Sequence, residues 1–192
     1  MPIETETKFK VSGPQANAVR KRLRTLGAVF ISKNLEQDKY FRPKGFKVRA
    51  TVIRLRVKGG KHGIFTVKYP KKGAKGEVYK VVHEIEARVD NAAAFPDILN
   101  SLGFGQFFIK EKVRETYRWK AAEILIDRLP YLGYYIEIEG DKKRIKEIAG
   151  LLGLDMSLAT SKTYKRLFDS YRMSHRNVGA DIVFGKRRTW KK

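Results

Sequence analysis

The sequence predicts an α+β domain in which about eight antiparallel strands carry three helices on their outer side. Two observations lead to this. Strand-like runs place charged residues at every second position, opposite apolar or β-branched ones, and a strand-helix-strand unit recurs three times. With 192 residues, 42% of them hydrophobic, the chain suits one globular domain with a sizeable core.

The first strand is "MPIETETKFK". Glu4, Glu6 and Lys8 share one face, and Ile3, Thr5, Thr7 and Phe9 share the other. A helix follows in "GPQANAVRKRLRTLGA", with Ala18, Leu23 and Leu26 near helical spacing, Pro14 at its start and Gly27 at its end. Next come two strand-like runs, "VFISKN" and "QDKYFRP", separated by a polar turn signal. "ATVIRLRVKG" and "GIFTVKYPKKG" then form a hairpin through the Gly-rich "KGGKHG".

The opening unit recurs from "HEIEARV", where Glu84, Glu86 and Arg88 precede a helical run ending at Leu102-Gly103 and a strand reaching Tyr117. "EILIDRLPYLG" leads into a Pro/Gly turn. A third copy has Glu137 and Glu139, a helix, Leu152-Gly153 and Tyr164. The spacings from Leu26 to Tyr40, Leu102 to Tyr117 and Leu152 to Tyr164 are similar, so one unit is reused. Tyr40, Tyr117 and Tyr164 therefore read as packing residues. After about Phe168 the regularity fades. Residues 1–168 are read as the domain and 169–192, ending in "FGKRRTWKK", as a basic C-terminal tail.

Two sheets satisfy the alternation. An open one would bathe its charged face in water. A closed eight-stranded barrel would turn that face inward and cover the apolar outside with helices. The mixture of signs favours closure. Lys8, Arg54, Arg56, Lys68, Arg88, Lys110, Lys112 and Arg114 would meet Glu4, Glu6, Glu84, Glu86, Asp127, Glu137 and Glu139 in one nearly neutral lumen. Arg and Lys rows suit the oxygens of a polyphosphate, and clustered carboxylates suit a hard cation such as Mg²⁺ or Mn²⁺. Together they describe metal-assisted chemistry on a triphosphate.

Composition limits the partners. The 42 Lys and Arg against 20 Asp and Glu give a net charge of +22, so phosphates, nucleic acid and anionic surfaces lead. No apolar run reaches membrane-spanning length, and the acidic, polar start is not a signal peptide, so a soluble, cytoplasmic protein with no membrane role is expected. The absence of cysteine rules out disulfides and leaves oxygen or histidine as metal ligands. His62, His83 and His175 lie too scattered to form a ligand set.

At these residues the sequence resembles the CYTH domain family, also called triphosphate tunnel metalloenzymes, which contains class IV adenylate cyclases and thiamine triphosphatases. "ETETK" is similar to its Glu-x-Glu-x-Lys signature. "DKYF", "IRLRV", "FTVKYP", "KEKVRETY" and "ILIDRLPYLGYYIEIEG" agree in order, covering residues 1 to about 168. The resemblance implies an eight-stranded tunnel that holds a nucleoside or other triphosphate and one or two Mg²⁺ or Mn²⁺ ions. By position it implies that Lys8, Arg54, Arg56, Lys68, Lys112 and Arg114 grip phosphates. Glu4, Glu6, Asp127, Glu137 and Glu139 become metal ligands, with Glu6, Asp127 and Glu137 the first choices. Lys8 and Glu6 are the catalytic pair. Glu84 and Glu86 stand either with the metal or behind the basic residues as orienting groups.

Length and "YLGYYIEIEG" look closest to the class IV adenylate cyclase branch, which converts ATP to cyclic AMP and pyrophosphate. The alternative is a triphosphatase acting on tripolyphosphate, thiamine triphosphate or another organic triphosphate. Arg166 stands where the family often has an acidic residue, which bears on substrate entry and specificity. A reading of another class is a nucleic-acid-binding module, or an RNA 5′-triphosphatase, with weak binding through the tail and Trp190 available for stacking. The sequence leaves the oligomeric state open, a dimer included.

Overall fold

The computed structural model describes residues 3–50, 52–59, 62–70, 78–175 and 177–185. Its strands are β1 (Ile3–Val11), β2 (Val29–Pro43), β3 (Val52–Lys58), β4 (Gly63–Pro70), β5 (Lys80–Val89), β6 (Phe104–Trp119), β7 (Ala122–Leu129), β8 (Gly133–Glu139) and the two-residue β9 (Ala159–Thr160). The helices are α1 (Gly13–Thr25), α2 (Phe95–Ser101), α3 (Lys142–Leu151) and α4 (Tyr164–Ser174).

Eight strands run β5-β4-β3-β2-β6-β7-β8-β1, every pair antiparallel, and β1 returns to β5 from Ile3 opposite His83 to Glu6 opposite Lys80. The sheet is thus a closed antiparallel barrel, the second of the two arrangements the alternation allows. β9 adds a short stretch beside Lys8 and Phe9.

Helices cover the outside because the outward parity is apolar. α1 starts at a capping box, in which Ser12 accepts from the Gln15 N–H and the Gln15 side chain accepts from the Ser12 N–H. It buries Ala16, Val19 and Leu23, whereas Ala18, expected on that stripe, is exposed. These residues join Phe9, Ile124, Ile126, Ile136 and Ile138 of the barrel and Ile145, Ile148 and Leu152 near α3. α2 packs Leu99 over Phe41, Ile53 and Leu55. The three Leu-Gly pairs end the first three helices: Leu26, Leu102 and Leu152 are the C-caps, and Gly27, Gly103 and Gly153 adopt positive φ of 71°, 81° and 64°.

Two sequence readings change. "VFISKN" and "QDKYFRP" are one 15-residue strand, because β6 pairs with β2 from Val29 to Pro43 and Asn34 simply joins the ladder opposite Arg114. The irregularity expected after Phe168 does not hold for 169–174, which continue α4. Beyond it, Ile182 is fully buried against Phe108 and Phe168 and exchanges backbone hydrogen bonds with β6. Its N–H donates to the Ile109 carbonyl at 3.0 Å and its carbonyl accepts from the Glu111 N–H at 2.6 Å. Arg176 and residues 186–192, which hold the tail's "KRRTWKK", lie outside the described residues. Among the described residues no helix is long and apolar enough to cross a membrane.

Candidate functional site

The inward parity of the strands lines a cavity of about 760 Å³. Eleven Lys and Arg and eight Glu border it. Glu4, Glu6 and Lys8 enter from β1, Arg54 and Arg56 from β3, Lys68 from β4, Glu84 and Glu86 from β5, Lys110, Lys112 and Arg114 from β6, and Glu137 and Glu139 from β8. Of the fifteen charges expected inside, Arg88 is the departure, exposed and away from the cavity. Asp127 lies on the inward parity of β7 but is completely buried beneath the basic wall.

That wall is held by carboxylates. Arg114 donates from Nε to Asp127 Oδ1 at 2.7 Å and from Nη2 to Oδ2 at 2.6 Å, and also contacts Glu137. Burial opposes the Arg114 charge, but Asp127 and Glu137 outweigh it and hold the guanidinium well above its ordinary value. Lys112 and the Tyr164 hydroxyl donate to the same Asp127 Oδ2 at 2.9 and 3.0 Å. Burial and the neighbouring Arg114 push Lys112 down to about 8. Arg56 forks onto Asp38 at 2.7 and 3.1 Å, and Lys110 reaches Asp38 at 3.0 Å. Arg54 donates to Thr66, which donates to Glu86, while Lys68 bridges Glu4 and Glu84. Glu84 and Glu86 thus orient basic side chains in this structure.

The remaining carboxylates form a separate group. Register places Glu6 opposite Glu139, and with Glu4 their oxygens lie within 4.8 Å of one another. Burial raises Glu4 to about 7 and Glu139 to about 8, with nearby carboxylates adding to both shifts. Glu6 is also desolvated, yet Lys8 at 3.1 Å and Lys80 at 2.9 Å hold it well below the usual carboxylate range. An all-oxygen set of crowded carboxylates fits a hard divalent cation, whose charge would offset the burial and the added repulsion that raise two of them. Glu137, by contrast, is lowered despite burial by Arg114 and Lys8. The five carboxylates named from sequence are therefore placed differently: Glu4, Glu6 and Glu139 gather with one another, while Asp127 and Glu137 lie against Arg114.

Sequence reasoning did not single out Glu36, Asp38, Lys80 or the lumen role of Tyr164. Glu36 is 1% exposed and lies 3.3 Å from Arg56 and 3.6 Å from Lys112. Burial opposes its ionisation, but Lys112, Arg56 and Arg114 lower it to about 2. The signal was present in the spacing of Glu36, Asp38 and Tyr40 at every second position. The histidines stay apart: His62 faces Asp90 at 3.5 Å at the surface and His175 stacks on Tyr171.

The family model of the CYTH domain matches residues 2–156. A protein of Methanocaldococcus jannaschii named "Putative adenylate cyclase MJ0240" is 33% identical over 146 residues, covering 76% of this chain and 81% of that protein. Among solved structures, the PH1819 protein of Pyrococcus horikoshii superposes with a TM-score of 0.71 at 24% identity, over 88% of this chain and 99% of that one. An adenylyl cyclase-like protein from Hippeastrum, described as having a dominant triphosphatase activity, superposes with a TM-score of 0.64 at 16% identity, over 88% and 96%. The two structural likenesses are likenesses of fold. With a family match spanning most of its length and a relative at one-third identity, the chain belongs to the CYTH family.

Proposed function

We propose that the chain is a divalent-metal-dependent enzyme that grips a triphosphate in its lumen, with cyclisation of ATP to cyclic AMP and pyrophosphate as the leading reaction. The observation that carries this is the meeting, in one cavity, of a braced basic wall and a separate cluster of three carboxylates. Lys8, Arg54, Arg56, Lys68, Lys112 and Arg114 bind phosphate oxygens, the arginines as planar forks and the lysines as point charges. Burial opposes the Lys8 charge, but Glu6 and Glu137 more than restore it. Lys8 accordingly stays an ammonium and stabilises negative charge on the phosphates rather than accepting a proton.

Glu4, Glu6 and Glu139 would hold Mg²⁺ or Mn²⁺, with Asp127 and Glu137 steadying the arginine beside them. Bound there, the cation supplies charge neutralisation at the phosphate oxygens and activation of the nucleophile. In the cyclase reaction the ribose 3′-oxygen gives up its proton to solvent and bonds to the α-phosphorus, while the bond between that phosphorus and the α,β-bridging oxygen breaks and pyrophosphate leaves. The cyclase assignment leans on the Methanocaldococcus relative.

Hydrolysis of tripolyphosphate, thiamine triphosphate or another organic triphosphate is the second reading, because the same grip serves water attacking a terminal phosphorus. The nucleic-acid reading rests on the net charge of +22 and on "KRRTWKK" at 186–192, which lies outside the described residues. The decisive experiment incubates the purified protein with ATP, thiamine triphosphate and inorganic tripolyphosphate, with Mg²⁺ or Mn²⁺. Cyclic AMP with pyrophosphate establishes the cyclase and orthophosphate release establishes hydrolysis; turnover of none of them rejects the proposal.

A further inference from the structure

One part of the cavity wall is aromatic. Where β2 and β6 approach α4, three rings stand in sequence. Tyr40 lies 5.3 Å from Phe108, and Phe108 lies 6.5 Å from Phe107, centroid to centroid. All three border the cavity, together with Thr163, Tyr164, Lys165 and Arg166 at the start of α4. The first ring sits beneath a lumen cation, since the Lys110 ammonium is 5.5 Å from the Tyr40 ring. The second is capped by Lys165 at 5.4 Å and is buried. The third, Phe107, is 43% exposed and is capped by the Arg42 guanidinium at 5.4 Å.

Strict alternation along β6 would send either Phe107 or Phe108 to the outer face. The ladder breaks there instead. Tyr40 pairs with Phe108 and Phe41 with Gln106, so Phe107 has no opposite residue. A bulge of this kind re-aims a side chain, and here both phenylalanines border the cavity. Burying Phe107 on the outer face with Phe41 and Leu55 would have been the simpler use of its ring. The Arg42 side chain is exposed and has no ion-pair or hydrogen-bond partner among the described residues.

We propose that Phe107 and Arg42 form a stacking site for the planar heterocycle of an organic triphosphate whose phosphates occupy the lumen, a proposal that rests on the triphosphate reading above. An exposed ring face with a guanidinium beside it offers π-stacking on one side and a cation on the other, the combination that holds bases without reading their edges. Three residues of strand, about 10 Å, separate Phe107 from Lys110. That interval accommodates a sugar between a stacked base and the first phosphate, and Lys112 and Arg114 continue inward on the same face. Stacking reads no base edge, so the site discriminates ring-bearing triphosphates from inorganic ones rather than adenine from guanine.

The test measures Kd by calorimetry for ATP, GTP and inorganic tripolyphosphate with the wild-type protein, Phe107→Ala, Phe107→Trp and Arg42→Ala, with Mg²⁺ present. Phe107→Ala should weaken both nucleotides about tenfold while tripolyphosphate changes less than twofold, Phe107→Trp should restore nucleotide affinity, and Arg42→Ala should cost several-fold for nucleotides alone. Equal loss for all three ligands would mean that Phe107 supports the fold, and unchanged nucleotide affinity with intact tripolyphosphate binding would overturn the stacking site while leaving the lumen reading standing. Failure of the wild-type protein to bind tripolyphosphate would overturn the lumen reading and the stacking site together.

Discussion

Arg114 and Asp127 are register partners on β6 and β7, and their two parallel hydrogen bonds, 2.7 and 2.6 Å, fix the guanidinium at the base of the basic wall. Asp127 is completely buried, so its charge has no solvent to fall back on. It accepts hydrogen bonds from both Arg114 and Lys112.

Asp127→Asn should therefore destabilise the fold by about 3–5 kcal/mol, since breaking a buried pair strands the remaining charges. Urea unfolding measures it. Triphosphate affinity should fall as well, whereas the Mg²⁺ concentration giving half-maximal turnover should stay near wild type. A large rise in that concentration would return Asp127 to the metal ligands.

Glu6→Gln and Glu139→Gln should behave in the opposite manner. Each removes a charge from the cluster while nearly keeping its shape, so turnover at limiting metal should drop by roughly a hundredfold or more. Folding, followed by circular dichroism, should survive. Full activity of both variants would dissolve the proposed metal site.

Arg56→Ala should weaken triphosphate binding far more than monophosphate binding, because charge-assisted contacts accumulate along the phosphates. Competition between ATP and AMP reads this out directly. Equal losses would show that Arg56 serves only to satisfy Asp38 and Glu36.

The dependence of stability on pH follows from two opposed sets of carboxylates. Glu4 and Glu139 are raised to about 7 and about 8, so the metal-free fold holds protons there that the unfolded chain releases above its ordinary carboxyl value near 4.5. Their contribution is complete below about 4.5 and is lost as pH rises through 7 and 8. Glu6, Glu36, Asp38 and Glu137 are lowered, and their contribution is lost as pH falls below the ordinary carboxyl range. Thermal unfolding without metal should show its maximum between these limbs. Mg²⁺ should raise stability more at pH 8.5 than at pH 6, because binding must displace those protons; equal gains at both would contradict the assignment of Glu4 and Glu139.

Ile182 offers a test of the C-terminal segment. The side chain is fully buried with Phe108, Tyr164 and Phe168, so Ile182→Ala should cost about 2–4 kcal/mol in urea unfolding. A change below 1 kcal/mol would show that residues 177–185 rest on the barrel without contributing to it.

The parity of β1, β3 and β6 made the lumen legible, because a two-residue period assigns every side chain to a face whatever its partner. Which carboxylate meets which cation was not legible. Glu6 faces Glu139 and Lys8 faces Glu137 through the β1–β8 register, and a shift of two residues would set Glu6 against Glu137, or Lys8 against Glu139, without altering either strand's pattern. Glu36 was overlooked because Leu35 and Glu36 fell in the polar turn expected between "VFISKN" and "QDKYFRP", which the continuous ladder with β6 removes; Asp38 lay inside a recognised strand, but its meeting with Arg56 depends on the β2–β3 register. Ile182 was hidden for a related reason: one apolar residue among Gly and polar neighbours has no periodicity to betray it.

β1 pairs with β5 along its first half and with β8 along the rest, so the barrel's earliest strand is the one that closes it. During synthesis it must wait, one edge unoccupied, until residues 134–139 have emerged. Glu4 and Glu6 belong to the early strand and Glu139 to the late one, so the three carboxylates come together only at the moment of closure. Assembly of the cluster thereby reports completion of the fold, and an incomplete chain, however well its hairpins form, presents no trio of acids to compete for the cell's cations.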